Sequence, residues 1–125
     1  MKATDRQVGG DHYKTGMQPL ELATQLNLNP FQLKIVKYVT RYKSKNGRQD
    51  LEKAVHIAEM AKELKPKNFI WSGANLWNAE DTMDNYFKSN NIQPLAVNAM
   101  NASLYDEWNT VIENVNELIN QEYGN

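Results

Sequence analysis

Cysteine is absent from the 125-residue sequence, and histidine occurs only twice. The first absence excludes disulfides, thiolate nucleophiles, iron–sulfur clusters and cysteine-ligated zinc, and the second leaves little for a histidine-rich metal site. No apolar run approaches the roughly 18 residues that a membrane span needs, and the polar N-terminal segment lacks the apolar stretch of a secretion signal. We therefore expect a cytoplasmic protein without a membrane partner, in which any metal ion would depend on carboxylates.

The familiar motifs of nucleotide and hydrolase chemistry are also absent from the sequence. It contains no G-x-x-x-x-G-K-[ST] phosphate loop, no G-x-G-x-x-G, no H-E-x-x-H and no G-x-S-x-G. The usual machinery of phosphoryl transfer is therefore not expected. What is present is the composition of a globular chain, 41% hydrophobic and 23% charged, at a length typical of one domain. We predict a single domain over residues 1–125.

Charge is divided sharply along the chain. Residues 1–68 carry 13 Lys and Arg against 7 Asp and Glu, a net charge of +6, whereas residues 69–125 carry one Lys against eight acids, a net charge of −7. Residues 34–48 contain six cations and no acid. This concentration of positive charge suits a small polyanion, while the acidic half argues against a partner such as long nucleic acid.

Apolar periodicity predicts an all-α fold. Pro19 is placed as the first residue of a helix to about Leu26, and Asn29-Pro30 is a strong helix start. We predict helices over about 30–45 and 48–64 that form an antiparallel hairpin, the second of them stopping before Pro66. Further on, Asn78 is a candidate cap for a helix to about Asn90, and Ser103 for the last helix. Residues 66–125 are thus expected to form an acidic helical extension packed on a basic part at 8–64.

A tyrosine face and a cation row share a border on the helix that begins at Pro30. At about 100° per residue, Tyr38 and Tyr42 lie on the apolar face. A nucleotide needs a stacking plane and phosphate partners, which tyrosine and cations supply, although a core face with solvated lysines beside it has the same pattern. The cations along this border are Lys34, Arg41 and Lys45, and Lys37 and Arg48 are further candidates in the same acid-free stretch.

The third helix offers carboxylates. Asp50 stands at its start beside Arg48, where it can act as a cap alone or can also orient a basic group. A second set falls in one sector off the apolar stripe, where a solvated acid face and a divalent-ion site are the alternatives. That set is Glu52, His56, Glu59 and Glu63.

Two aromatic segments lie outside these patterns. His12-Tyr13 follows Gly9-Gly10-Asp11 in a polar arm that can fold over a ligand or can be an ordinary loop. Trp71 stands in a stretch without clear period, so it is a candidate stacking wall as well as a candidate core residue.

The run from Lys37 to Ala54, with His12-Tyr13 about 25 residues before it, resembles a known family. The pattern H-Y, then K-Y-x-x-R-Y-K-x-K-N-G-x-x-D-L-x-K-A, is similar to that of a small bacteriophage family of unknown function that is often labelled nucleotide kinase. The resemblance covers about residues 8–64. It implies a phage protein of nucleotide chemistry, and it favours these ligand-binding residues: His12, Tyr13, Lys37, Tyr38, Arg41, Tyr42, Lys45 and Asp50.

Three functions are compatible with these residues. We favour a non-catalytic binder that sequesters a nucleotide or a nucleotide-derived host immune signal, an anti-defence role, without any cofactor or resident metal. The alternatives are an enzyme, either a nucleoside monophosphate kinase or a nucleotide pyrophosphohydrolase, which would use Mg²⁺, and an acidic inhibitor of a host protein. The last helix carries an apolar seam that can be core or a dimer interface. Because a small domain that encloses a nucleotide often completes its pocket from a neighbouring chain, and the seam offers a surface for this, we expect a homo-oligomer.

Overall fold

The protein is all-α in the part of the chain that its computed structural model describes, residues 16–71 and 75–124, with side chains of the second range described from residue 78. No strand occurs in those ranges. These ranges contain six α-helices, and a 3₁₀ turn at Tyr42–Ser44 follows the second. The helices are α1 (Pro19–Leu26), α2 (Pro30–Arg41), α3 (Arg48–Leu64), α4 (Asn75–Ser89), α5 (Pro94–Leu104) and α6 (Trp108–Tyr123).

Proline and asparagine stand at the starts of several helices. Pro19, Pro30 and Pro94 each occupy the first turn of a helix, where a missing N–H costs nothing. At α2, the Asn29 side chain accepts from the Gln32 N–H at 2.9 Å, and the Gln32 side chain accepts from the Asn29 N–H at 2.9 Å. This reciprocal capping confirms the helix start at Asn29-Pro30.

Helices α2 and α3 pack against each other, as the sequence predicts, and α6 packs against both α3 and α5. The antiparallel course of the pair stays a prediction. Helix α2 ends at Arg41, earlier than the expected 45, because the chain tightens into the 3₁₀ turn before Gly47. Helix α3 spans the predicted residues and ends at Leu64; the next residue, Lys65, adopts φ 50° immediately before Pro66.

Two predicted boundaries in the second half are wrong. Helix α4 starts at Asn75, before the expected cap at Asn78. Ser103 is not the cap of the last helix: it is buried within α5, where its hydroxyl donates to the Met100 carbonyl at 2.6 Å. The last helix begins at Trp108, after a turn in which Asp106 takes φ 59°.

Buried residues of all six helices form one hydrophobic cluster. The apolar stripe of α3 contributes Leu51, Ala54, Ala58 and Ala61 to it, while α6 contributes Trp108, Val111, Val115 and Leu118. The seam predicted on α6 is therefore packed within the chain. In the described ranges no helix is long and apolar enough to cross a membrane.

Candidate functional site: a basic cluster around Tyr38

The ring of Tyr38 lies among three cations. The Arg41 guanidinium carbon is 5.3 Å from the ring centroid, the Lys53 Nζ 5.7 Å and the Lys37 Nζ 6.0 Å. Tyr38 is half-buried on α2, whereas Lys53 belongs to α3. We call Tyr38, Lys37, Arg41 and Lys53 the basic cluster. It combines the aromatic plane and the cations that the sequence predicts would share a border.

Tyr38 and Lys53 of the basic cluster line a cavity of about 330 Å³ whose other lining residues belong to α3. This volume is near the lower end of the range for small-molecule sites. Its wall combines an aromatic ring, an aliphatic side chain, a cation, an amide and a carboxylate. The lining residues are Tyr38, Gln49, Glu52, Lys53, His56 and Ile57. Lys37 and Arg41 lie near the Tyr38 ring but are not part of that lining.

Two further predicted cations surround the cluster. The pKa of Lys37 is lowered from its ordinary value of 10.5, first by partial burial and then by the positive charges of Arg41, Lys34 and Lys45, with Asp50 acting in the opposite direction. Lys34 and Lys45 are both exposed. The positive potential at Lys37 therefore exceeds what the neighbouring carboxylate neutralises.

Asp50 is fully buried and holds Arg41 in place. Its carboxylate accepts from Arg41 Nε at 3.2 Å and from Arg41 Nη2 at 3.4 Å. It also accepts from the backbone N–H of Asn46 at 3.4 Å and from the Asn46 side chain at 3.2 Å. Asp50 thus ties the end of α2 to the turn before α3, and it presents no surface to a ligand.

The sequence places Asp50 beside Arg48, but in space its partner is Arg41. Arg48 instead pairs with Glu52 one turn further along α3, with Nε and Oε2 3.3 Å apart, and both side chains are more than half exposed. A residue two positions away in sequence is on another face of a helix, so its nearness in sequence predicts the wrong partner.

Tyr42 also lies away from the basic cluster. Its hydroxyl donates to Glu122 at 3.2 Å and accepts from Gln93 at 2.9 Å, and its side chain is 3% exposed. Burial and the Glu122 carboxylate raise its pKa above the ordinary value of 10. Tyr42 therefore joins α2 to the second half of the chain.

Trp71 lies at a different cavity. Its indole Nε1 donates to the Leu104 carbonyl at 2.9 Å, and its ring stacks on Tyr105 with centroids 4.7 Å apart. The cavity beside them, about 490 Å³, is larger than the one beside Tyr38, and its described lining contains three acids and no Lys, Arg or His. Those acids are Glu80, Asp84 and Glu107, whose charge opposes phosphate binding there.

The other candidates from the sequence are the His12-Tyr13 pair and the acidic face of α3. His12 and Tyr13 lie outside the described residues. The acidic face of α3 is exposed as expected, although Glu52 and His56 line the cavity near Tyr38. Among the described residues no group of three or more His, Asp or Glu is positioned to hold a metal ion.

Sequence reasoning missed Lys53. It falls within the run from Lys37 to Ala54 but lies on the next helix, so a helical wheel of α2 alone cannot show it beside Tyr38. Lys53 lies one turn after Gln49 on α3. Once α2 and α3 are paired, this spacing is the signal that could have placed Lys53 beside Tyr38.

These observations define an all-α protein with a basic, aromatic site between its second and third helices. Residues 8–59 match the model of a family described as a protein of unknown function (DUF3310). The match ends within α3 and includes every member of the basic cluster. The family's description names no activity, so nucleotide kinase activity stays a prediction. Comparison with curated proteins and with solved structures gives no match.

Proposed function

We propose that this protein binds a nucleotide or a nucleotide-derived small molecule at the basic cluster and holds it without changing it chemically. The observation that carries the proposal is the Tyr38 ring among three cations at the mouth of a cavity. A nucleotide joins an apolar, flat base to anionic phosphate, and this site joins an apolar wall to uncompensated positive charge.

The two parts of such a ligand correspond to two parts of the site. Tyr38 and Ile57 supply apolar contact for a base, and the Gln49 amide can both donate to and accept from a base edge. Phosphate oxygens would accept from Arg41, Lys37 and Lys53, which are charge-assisted donors. Arg41 is held by Asp50 through two N–H groups, so its guanidinium is already oriented before a ligand arrives.

Holding the ligand intact is favoured over turnover because the nearby carboxylates already have partners. Asp50 is buried against Arg41 and Asn46, and Glu52 pairs with Arg48. Nucleotide kinases and pyrophosphohydrolases need carboxylates for metal ions or for a base. In a phage-infected cell, a binder of this kind would lower the free concentration of a nucleotide-derived immune signal.

The enzyme alternative makes a different prediction with Mg²⁺. An enzyme would convert ATP and a nucleoside monophosphate into new nucleotides, or would cleave a nucleotide, when Mg²⁺ is supplied. The binder proposed here would return the same nucleotide unchanged under those conditions. Chromatography of the nucleotides after incubation distinguishes the two.

A binding titration of Tyr38→Leu tests the site. The probes are ATP, nucleoside monophosphates, cyclic nucleotides and ADP-ribose, each followed by calorimetry without Mg²⁺. Loss of the aromatic plane should weaken binding of the tightest probe by about tenfold, the usual effect of removing one stacking contact. Tyr105→Leu is the matched control, since Tyr105 is a half-exposed tyrosine outside the cluster. Equal affinity of Tyr38→Leu and the unaltered protein would contradict the proposed site.

A further inference from the structure

We infer that the ligand of the basic cluster carries at least two linked phosphate groups, as a nucleoside diphosphate or triphosphate does. The inference rests on the proposed function and adds the class of nucleotide. It is drawn from the length of the cation row, from the charge balance around Lys37 and from the burial of Asp50 against Arg41.

The cations of α2 form a row that is longer than one phosphate group. Lys34, Lys37 and Arg41 are three and four residues apart, so they lie on one side of α2. The seven residues from Lys34 to Arg41 correspond to about 10 Å of helix rise. Lys45, after the 3₁₀ turn, acts electrostatically on Lys37 as well. One phosphate placed at Lys37 cannot contact both ends of this row.

The charges facing Lys37 come from α2, from the turn after it and from α3. Positive charges are contributed by Lys34, Arg41 and Lys45, and Lys53 meets Lys37 at the shared Tyr38 ring. The opposing charge is Asp50, which is committed to Arg41. Glu52 in the cavity wall is a second acid, and it pairs with Arg48. Six cations against these two carboxylates leave an excess that a single phosphate neutralises only in part, whereas each additional phosphate neutralises more of it.

The lowered pKa of Lys37 gives a second readout of phosphate binding at the row. Partial burial and the neighbouring cations disfavour the charged ammonium. Anionic phosphates beside it would favour the ammonium again and raise its pKa. Binding should therefore draw a proton onto Lys37 when the pH lies between its lowered pKa and the pKa of the complex.

The test compares nucleotides that differ only in phosphate number. AMP, ADP and ATP, and then GMP, GDP and GTP, are titrated into the full-length protein by calorimetry in low salt without Mg²⁺. We expect the diphosphate to bind at least about tenfold tighter than the monophosphate, the scale of one additional charge-assisted contact. Raising the salt concentration should reduce this preference because the row is partly exposed.

Variants at the two ends of the row, Lys34 and Lys45, show whether these lysines contact the added phosphate. Lys34→Ala or Lys45→Ala should weaken the diphosphate several-fold more than the monophosphate, and the end that responds more strongly gives the direction of the phosphate chain. Lys65→Ala is the matched control, an exposed lysine after α3 that lies outside the row. If both end variants keep the full preference for the diphosphate, the inference is overturned.

The proton on Lys37 gives a second readout. Calorimetry at mildly alkaline pH in two buffers of different ionisation enthalpy should show proton uptake with ADP, and Lys37→Arg should abolish the uptake while retaining binding. Equal affinities for AMP and ADP, or a pyrimidine or purine oligonucleotide binding tighter than ADP, would overturn the inference and leave nucleotide binding standing. No binding of any nucleotide would instead refute the proposed function itself.

Discussion

Arg41 and Arg48 each pair with a carboxylate, but their surroundings differ. The Arg41 side chain is 12% exposed and its partner Asp50 is fully buried, whereas Arg48 and Glu52 are 55% and 57% exposed. A buried ion is stabilised only while its partner remains, because it has lost its water. An exposed ion regains water when its partner is removed. The two pairs therefore form an internal comparison.

Replacing Arg41 should destabilise the protein far more than replacing Arg48. Arg41→Ala leaves the Asp50 charge buried and unpaired, which costs about 3 kcal/mol or more of unfolding free energy. Arg48→Ala should cost less than about 1 kcal/mol. Urea denaturation of both variants measures the difference, and similar midpoints would contradict the burial of Asp50. Because of this cost, Tyr38 and the lysines are better probes of binding than Arg41.

For the individual residues of the candidate site, the sequence identified the residue types but not all of their partners. Lys37, Tyr38 and Arg41 are brought together as predicted because they share one helix face. Asp50 was expected near Arg48, and Tyr42 near the same border as Tyr38. Their actual contacts, with Arg41 and with Glu122, join residues that are nine and eighty positions apart. Periodicity within one helix carries no signal for such contacts.

The turn between α2 and α3 depends on Gly47. Gly47 adopts φ 56° and ψ −129°, a conformation that is costly for residues with a Cβ. A Cβ added there would lie 3.3 Å from the Tyr123 hydroxyl of α6. The turn that carries Lys45 is thus restricted by the positive φ of Gly47 and by the nearby Tyr123 side chain of α6.

Gly47→Ala should lower the unfolding free energy by about 1–3 kcal/mol, the usual cost of a residue forced into such a region. Gly124→Ala is the control: it also has positive φ, at 58°, but its added Cβ meets only the Asn120 carbonyl at 4.0 Å near the chain end. Thermal unfolding of the two variants gives the comparison. An unchanged Gly47→Ala melting temperature would show that the turn relaxes without cost.

Glu122 joins α6 to the end of α2. Although its desolvation acts to raise its pKa, hydrogen bonds from Gln93 and Tyr42 and the charge of Lys43 lower it below the ordinary 4.5. Its folded pKa is therefore below its unfolded pKa. The stabilisation is present above pH 4.5 and is lost as the pH falls through the folded pKa.

Glu122→Gln should consequently show a weaker loss of stability on acidification than the unaltered protein. Urea denaturation over a series of acidic pH values checks this. Glu113→Gln, an exposed carboxylate on the same helix, should keep the pH dependence of the unaltered protein. Parallel stability profiles for Glu122→Gln and the unaltered protein would contradict the contribution of the Tyr42–Glu122 contact.

Among the helices, α5 shows why part of the fold could not be predicted. Local signals place α1 to α3, since Pro19 and Asn29-Pro30 start the first two helices and the Asn46-Gly47 turn precedes the third. Helix α5 packs against both α2 and α6, and its buried residues are mostly small and lie on more than one face. A helix covered on several sides has no single apolar stripe, so periodicity does not reveal it. Its buried Ser103 was therefore mistaken for the start of the next helix.

In the described residues, the basic cluster and the acid-lined cavity lie on different helices, although an ion pair between Lys43 and Glu122 joins the two halves. The basic cluster is formed by α2 and α3, and the acid-lined cavity by the second half of the chain together with Trp71. An anion would be attracted to the first and repelled by the second. The separation predicted from net charge along the sequence thus has a counterpart in the structure, whereas homo-oligomer formation stays a prediction.

Retention and return of an intact nucleotide is the decisive test of nucleotide binding without chemical change. The purified protein is incubated with Mg²⁺ and a mixture of ATP, nucleoside monophosphates, cyclic nucleotides and ADP-ribose, and the free nucleotides are chromatographed before and after heat denaturation. We predict that one compound is depleted before heating and returns unchanged afterwards, and that Tyr38→Leu depletes less of it. New phosphorylated or cleaved products, or no depletion of any compound, would contradict the account.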